Sequence, residues 1–161
     1  MIVKHSIPPF YNKDSKVLIL GSMPSVKSRE ANFYYMHPQN RFWKILEIVF
    51  NETIGDTINL KKAFLEKHHI ALWDVIASCE INGSDDSSIK NVQVNNLNRI
   101  IKNSKIKYIF TTGKKAYNLY NKYCLKETSI EAIYLFSSSP ANCAMSIDNL
   151  VTNFEQIKDK I

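Results

Sequence analysis

The chain has 161 residues, 45 % of them apolar, which suits one compact core and argues against a string of independent domains. Lys and Arg number 21 against 15 Asp and Glu, a formal net charge of +6 that favours a polyanionic partner yet also fits an ordinary basic protein. The chain holds no apolar run of roughly 18 residues and no signal-like apolar core near its start, so neither a membrane span nor export is expected, and a cytoplasmic location is.

Strand and helix signals alternate along the chain. Lys16–Leu20 reads as a buried strand, and Asn40–Phe50 as a helix with Phe42, Ile45, Leu46 and Val49 on one face. Asn59–His69 predicts a helix with Leu60, Ala63 and Phe64 inward, and Ile70–Ile76 a second strand. Ser78–Asn91 is rich in Gly, Asp and Ser and reads as a polar loop, followed by a short helix over Asn95–Asn103. Lys107–Thr111 predicts a third strand, and the helix after it aligns Ala116, Leu119, Tyr120 and Tyr123. Ala132–Phe136 predicts a fourth strand, and a last helix places Leu150, Phe154, Ile157 and Ile161 on one side. Such alternation implies an α/β fold, a three-layer α/β/α sandwich around a mainly parallel, roughly four-stranded sheet spanning 1–161 as one domain. The loops after the strands then meet at one sheet edge, where open α/β sheets build ligand sites.

Cys79, Cys124 and Cys143 are odd in number, widely spaced and without a C-x-x-C, the pattern of reduced thiols. His5, His37, His68 and His69 show no metal-ligand spacing, so no metal and no cofactor are expected. Ser87 and Ser88 beside Asp85 and Asp86 superficially suggest hydrolytic groups, but no G-x-S-x-G elbow supports a serine triad.

The chemistry-bearing residues fall in the strand-end loops. Gly21-Ser22-Met23-Pro24-Ser25 lacks both the P-loop and the dinucleotide spacing; it is either a plain turn or a backbone surface that approaches a base or phosphate closely. Phe33, Tyr34 and Tyr35 are adjacent, so they cannot all enter the core, and one is free to stack on a flat ligand. Asn40 stands where a helix cap belongs; its carboxamide is also able to orient water or read a base edge. Arg41 fits a phosphate contact or a solvated helix residue, and His37 is the one histidine placed for proton chemistry. Ser137-Ser138-Ser139-Pro140-Ala141-Asn142 is either an exposed turn or a small-residue loop that presses against a phosphate backbone.

Taken in order, GSMPS (21–25), YYMHPQNRFW (34–43), LWDVI (72–76) with GSDDSSI (83–89), TTGKKA (111–116) and SSSPAN (137–142) resemble the uracil-DNA glycosylase superfamily, most of all its hypoxanthine-DNA (DNA-deoxyinosine) glycosylase branch. HPQNRFW is the specific element. The resemblance implies a monofunctional DNA N-glycosylase, a monomer acting on DNA that contains a deaminated base. It implies a catalytic role for Asn40, with a base pocket from Gly21, Ser22, Met23, Pro24, Ser25, Tyr34, Tyr35 and His37. The SSSPAN loop would press on the duplex, and Arg41 and Lys114 would touch phosphates. The mismatch-directed uracil/thymine branch shares N-R-F-W-K but begins its first motif G-I-N-P; here Ser22 and Met23 replace that amide. Two positions depart from the hypoxanthine branch: Glu80 stands in Ser78–Asn82, and Asp85 replaces the leucine of G-S-L-D-S. Both add negative charge near the expected DNA face. With no carboxylate in the first motif, catalysis is expected to rest on holding the leaving base through backbone N–H groups and Asn40, with weak water activation. The alternatives are a uracil- or mismatch-directed glycosylase, a non-catalytic nucleic-acid-binding module on the same fold, and a nucleotide- or metabolite-binding α/β protein.

Overall fold

The structure, a computed structural model, describes residues 2–161. In chain order it runs β1 (Ile2–Lys4), β2 (Val17–Gly21), α1 (Val26–Ala31), α2 (Phe42–Phe50), α3 (Ile58–Lys67), β3 (Ile70–Asp74), β4 (Ile76–Asn82) and β5 (Asp85–Val94). There follow α4 (Asn98–Ile101), β6 (Tyr108–Thr112), α5 (Lys114–Tyr123), α6 (Leu125–Thr128), β7 (Ala132–Leu135), a 3-10 turn at Pro140–Asn142 and α7 (Ile147–Lys158). The expected parallel sheet is present, with four strands in the order β3-β2-β6-β7. Every residue of β2 and β3 is buried, as for a parallel sheet covered on both faces. Helix ends follow local chemistry: Ser25, Thr57 and Ser146 cap α1, α3 and α7 by accepting the N–H three residues on.

Three expectations need correction. Ser78–Asn91 is not a loop, because β4 and β5 form an antiparallel hairpin that with β1 makes a second, three-stranded sheet. Its polar residues face solvent while Cys79, Ile81 and Ile89 are buried, and bulges break the alternation that would have marked a strand. Second, α3 is rotated from the expected phase: Leu60 and Ala63 are exposed, and Lys61, Phe64 and Leu65 are buried. Lys61 can be buried because its ammonium donates to the carbonyls of Gly55 and Asp56 and lies over the Trp43 ring. Third, Tyr123 of α5 is 39 % exposed, the edge of its helix's apolar face rather than part of the core.

The core joins the sheet to α2 and α7. Phe42, Ile45, Leu46 and Val49 are buried as expected, and Phe42 meets Phe154 of α7 edge-on, ring centroids 6.2 Å apart. Phe154 is fully buried. Phe154→Ala is expected to lower unfolding stability by about 3–5 kcal/mol, read from the urea midpoint with an unchanged slope.

Candidate active site

The loops at the carboxyl ends of β2, β3, β6 and β7, joined by the β4–β5 turn, enclose a cavity of about 530 Å³. Its walls are Gly21–Ser25, Ser28, Tyr34, Tyr35, His37, Asn40, Asp74, Ser84–Ser87, Thr112 and Ser137–Ala141. The size suits a nucleoside-scale ligand. Gly21, Ser22, Met23, Pro24, Ser25, Tyr34, Tyr35, His37 and Asn40, all singled out in the sequence, thus converge, together with Ser137, Ser138, Ser139, Pro140 and Ala141.

Asn40 lies one residue ahead of the N-cap of α2, Arg41. Its Oδ1 accepts two hydrogen bonds, from the Phe42 N–H at 2.9 Å and from the Ser138 hydroxyl at 2.8 Å. Both lone pairs are therefore engaged, the amide orientation is fixed, and Nδ2 is left as a donor on the cavity wall. Capping and presentation of the amide are one arrangement, since the first N–H of α2 holds the oxygen in place.

Arg41 completes the join. Its N–H donates to the Ser138 carbonyl at 3.1 Å, and its guanidinium donates to the carbonyls of Met145 (2.7 Å) and Asn142 (3.0 Å). In this arrangement Arg41 binds the chain itself and does not stand open for a phosphate. Asn142, outside the cavity wall, donates to the Ser137 carbonyl at 2.9 Å and holds its own loop closed. Lys114 is exposed at the first turn of α5.

The three aromatics separate by role. Phe33 and Tyr34 are buried, and the Tyr34 hydroxyl donates to the Pro8 carbonyl at 3.0 Å. Tyr35, at φ +55°, stacks on Phe42 with ring centroids 3.8 Å apart and shares a hydrogen bond with Thr112 at 3.2 Å. Burial, and then the charge of Asp74, raise the Tyr35 phenol well above its ordinary range, so it stays a neutral hydroxyl. The His37 Nδ1 accepts the Gln39 N–H at 3.1 Å, which leaves Nε2 as the atom to face a ligand.

Sequence reasoning passed over one carboxylate, Asp74, and set another, Asp86, aside. Asp74, the last residue of β3, is 3 % exposed and bonded to His5 Nε2 at 2.7 Å; its place in an apolar strand reading LWDVI was the available signal. Asp86 comes from the hairpin read as a loop, and accepts the Ser22 hydroxyl at 2.9 Å. Crowding by the cavity wall raises the Asp86 pKa although the residue keeps an exposed face, with Asp74 adding to the rise and Ser22 and Lys115 opposing it. So the carboxylate absent from the GSMPS motif reaches Ser22 from another element. Glu80 pairs with Asn91 on the hairpin and is not part of the cavity wall. Asp85 is at the rim, where Ser87 donates to it from both backbone and side chain and holds its pKa below the usual range. Among the described residues no group of three or more His, Cys, Asp and Glu could hold a metal ion, and no helix is long and apolar enough to cross a membrane.

The chain is similar to known proteins over most of its length. The model of the uracil DNA glycosylase superfamily matches residues 8–158. Two relatives named hypoxanthine DNA glycosylase are each 32 % identical over 145 residues. The one from Methanosarcina barkeri covers 86 % of this chain and 88 % of its own length; the one from Methanosarcina acetivorans, 88 % and 89 %. The solution NMR structure of a Methanosarcina acetivorans protein proposed as a uracil DNA glycosylase superposes with TM-score 0.79 at 31 % identity, covering 98 % of this chain and 99 % of that one.

The raised Asp86 pKa has a consequence for stability. A group whose pKa is higher folded than unfolded stabilises the fold below the unfolded value, 3.8, and that contribution is lost as pH rises through the folded value. Because Asp86 keeps an exposed face and water screens much of the effect, Asp86→Asn is expected to raise Tm only slightly at pH 7, the gain shrinking toward zero as pH falls below 3.8, read by calorimetry across pH.

Proposed function

The chain belongs to the uracil DNA glycosylase superfamily, and from that premise we propose that it flips a deaminated base, hypoxanthine of deoxyinosine foremost, out of DNA into this cavity. There it hydrolyses the N-glycosidic bond and leaves an abasic site. Flipping is required because the anomeric carbon is out of reach in a stacked duplex, and a deaminated base, poorly paired, costs less to extrude. The observation that carries the reading is the Asn40 carboxamide, pinned at Oδ1 by Phe42 and Ser138 with Nδ2 free on the cavity wall.

As the glycosidic bond lengthens, positive charge grows on the deoxyribose and negative charge on the departing base. Asn40 Nδ2 donates to the base and stabilises that negative charge; it does not activate water, because Oδ1 has no lone pair to offer. Asp86, held by Ser22, supplies negative charge beside the sugar and orients the attacking water. Tyr35, backed by Phe42, gives the base a stacking surface. The small residues of the 137–142 loop follow the DNA backbone, and the exposed Lys114 adds a phosphate contact. The reading includes one catalytic domain over 1–161, acting as a monomer in the cytoplasm, in keeping with three unpaired cysteines.

The test is excision from duplexes carrying hypoxanthine, uracil, thymine or xanthine opposite each base. Hypoxanthine is expected to be released fastest; release of uracil alone would move the assignment to a uracil-directed enzyme, and release of none would refute it. Asn40→Ala is expected to keep duplex affinity and lose about 10²–10³ in excision rate. Single-turnover excision by the wild type is expected to fall at acid pH through a limb above the ordinary Asp value of 3.8, since Asp86 must be ionised to act, and Asp86→Asn to remove that limb along with most of the rate.

A further inference from the structure

The segment between β7 and α7 has no apolar anchor. Of the described residues between Leu135 and Leu150, Ser138 alone is buried, at 2 % exposure. From Ser137 to Ala144 no side chain joins the hydrophobic core. Bonds inside the segment, such as Asn142 Nδ2 to the Ser137 carbonyl and the Met145 N–H to the Asn142 carbonyl, hold its shape but not its place. Among the described residues, every hydrogen bond that leaves 137–145 ends on Asn40 or Arg41. Where apolar burial does not fix a loop, such polar contacts decide where it stands.

Arg41 stands on firm ground for holding it. It is the N-cap of α2, whose Phe42, Trp43, Ile45, Leu46 and Val49 are buried. Its N–H takes the near end of the segment at the Ser138 carbonyl, and its guanidinium takes the far end at the carbonyls of Met145 and Asn142. A planar guanidinium can hold two carbonyls at once, whereas an ammonium is a point donor. Ser138 is thus gripped by both neighbours, its carbonyl by Arg41 and its hydroxyl by Asn40 Oδ1. Any movement of the segment therefore moves the donor that fixes the amide. We propose that Arg41 is a positioning residue for bond breaking: it seats 137–145 on α2, and through Ser138 that seating keeps Asn40 Nδ2 turned to the base. A DNA backbone that presses on the loop then acts on the amide as well. This rests on the glycosylase reading and adds to it the link between backbone contact and chemistry.

Arg41→Met keeps an unbranched side chain and removes the guanidinium. Amide hydrogen exchange over 141–145 is expected to rise at least about 10-fold in this variant while that of α2 stays unchanged. Single-turnover excision of hypoxanthine at saturating enzyme is expected to fall about 10- to 100-fold, the scale of a misplaced reacting group. The slope of log affinity for duplex against log salt is expected to stay the same, whereas loss of a phosphate contact would reduce it by about 1. Arg41→Lys keeps the charge but not the fork, and is expected to be as slow as Arg41→Met. In an Asn40→Ala background, Arg41→Met is expected to slow excision further by less than about threefold, because the amide through which it acts is gone; a merely structural role would cost the same in both backgrounds. Ser138→Ala leaves the guanidinium bonds in place and is expected to slow excision about 10-fold with the same non-additivity, which decides the matter if Arg41→Met does not fold. Unchanged exchange over 141–145 overturns the seating. A wild-type rate for Arg41→Lys, a shallower salt slope for Arg41→Met, or a full further loss in the Asn40→Ala background overturns the link to the amide. A wild type that releases no deaminated base refutes the glycosylase reading and takes that link with it, while the exchange measurement still judges the seating, so the two failures are told apart.

Discussion

Two hydrogen bonds to one atom, Asn40 Oδ1, bring the halves of this molecule together at its working edge. One comes from the Phe42 N–H at the start of α2, the other from Ser138, 98 residues away in the loop after β7. The Arg41 side chain reinforces the join through the Asn142 and Met145 carbonyls. Since the parallel sheet already fixes where the strands end, this contact sets how far the loop after β7 stands from the loop after β2. That distance is the width of the cavity. The same contact decides the chemistry of Asn40, because an amide whose oxygen is doubly bonded can only donate.

Electrostatics divide between outside and inside. The chain is positive overall, at +6, yet Asp74, Asp85 and Asp86 all lie along the cavity wall. A basic exterior draws in a polyanion, whereas an acidic interior is complementary to a sugar that turns cationic as its base leaves. Ser22 shows how the acidic interior is built. It occupies the position in the first motif where a sequence reading finds no carboxylate, and it acts by gripping Asp86 from a different sheet.

Elements whose burial follows simple periodicity were readable in the sequence: β2 and β3 as apolar runs, α2 through Phe42, Ile45, Leu46 and Val49, α7 through Leu150, Phe154 and Ile157. The failures have specific causes. Lys61 occupies a core position by bonding carbonyls with its tip, which shifted the apparent face of α3. The β4–β5 hairpin is bulged and solvated on one side, so its composition imitates a loop. At the site, the ordered motifs brought out Asn40 and the cavity walls, but His5, Asp74 and Asp86 depend on long-range pairing that no local pattern encodes. Arg41 is the converse: basic and beside Asn40, it resembles a phosphate contact, and only the position of the Met145 and Asn142 carbonyls shows what it holds.

The hydrogen bonds that shape the cavity connect residues far apart in sequence: His5 to Asp74 across 69 positions, Tyr35 to Thr112 across 77, Asn40 to Ser138 across 98. Contacts of such separation form only after the intervening chain has closed its loops, so they belong to the late, slow part of folding. The residues in these pairs run from His5 to Ser138, so the cavity closes only when segments from most of the chain are in place. Recovery of activity after dilution from denaturant should lag behind recovery of helical signal, which makes the pocket a reporter for completion of the whole fold.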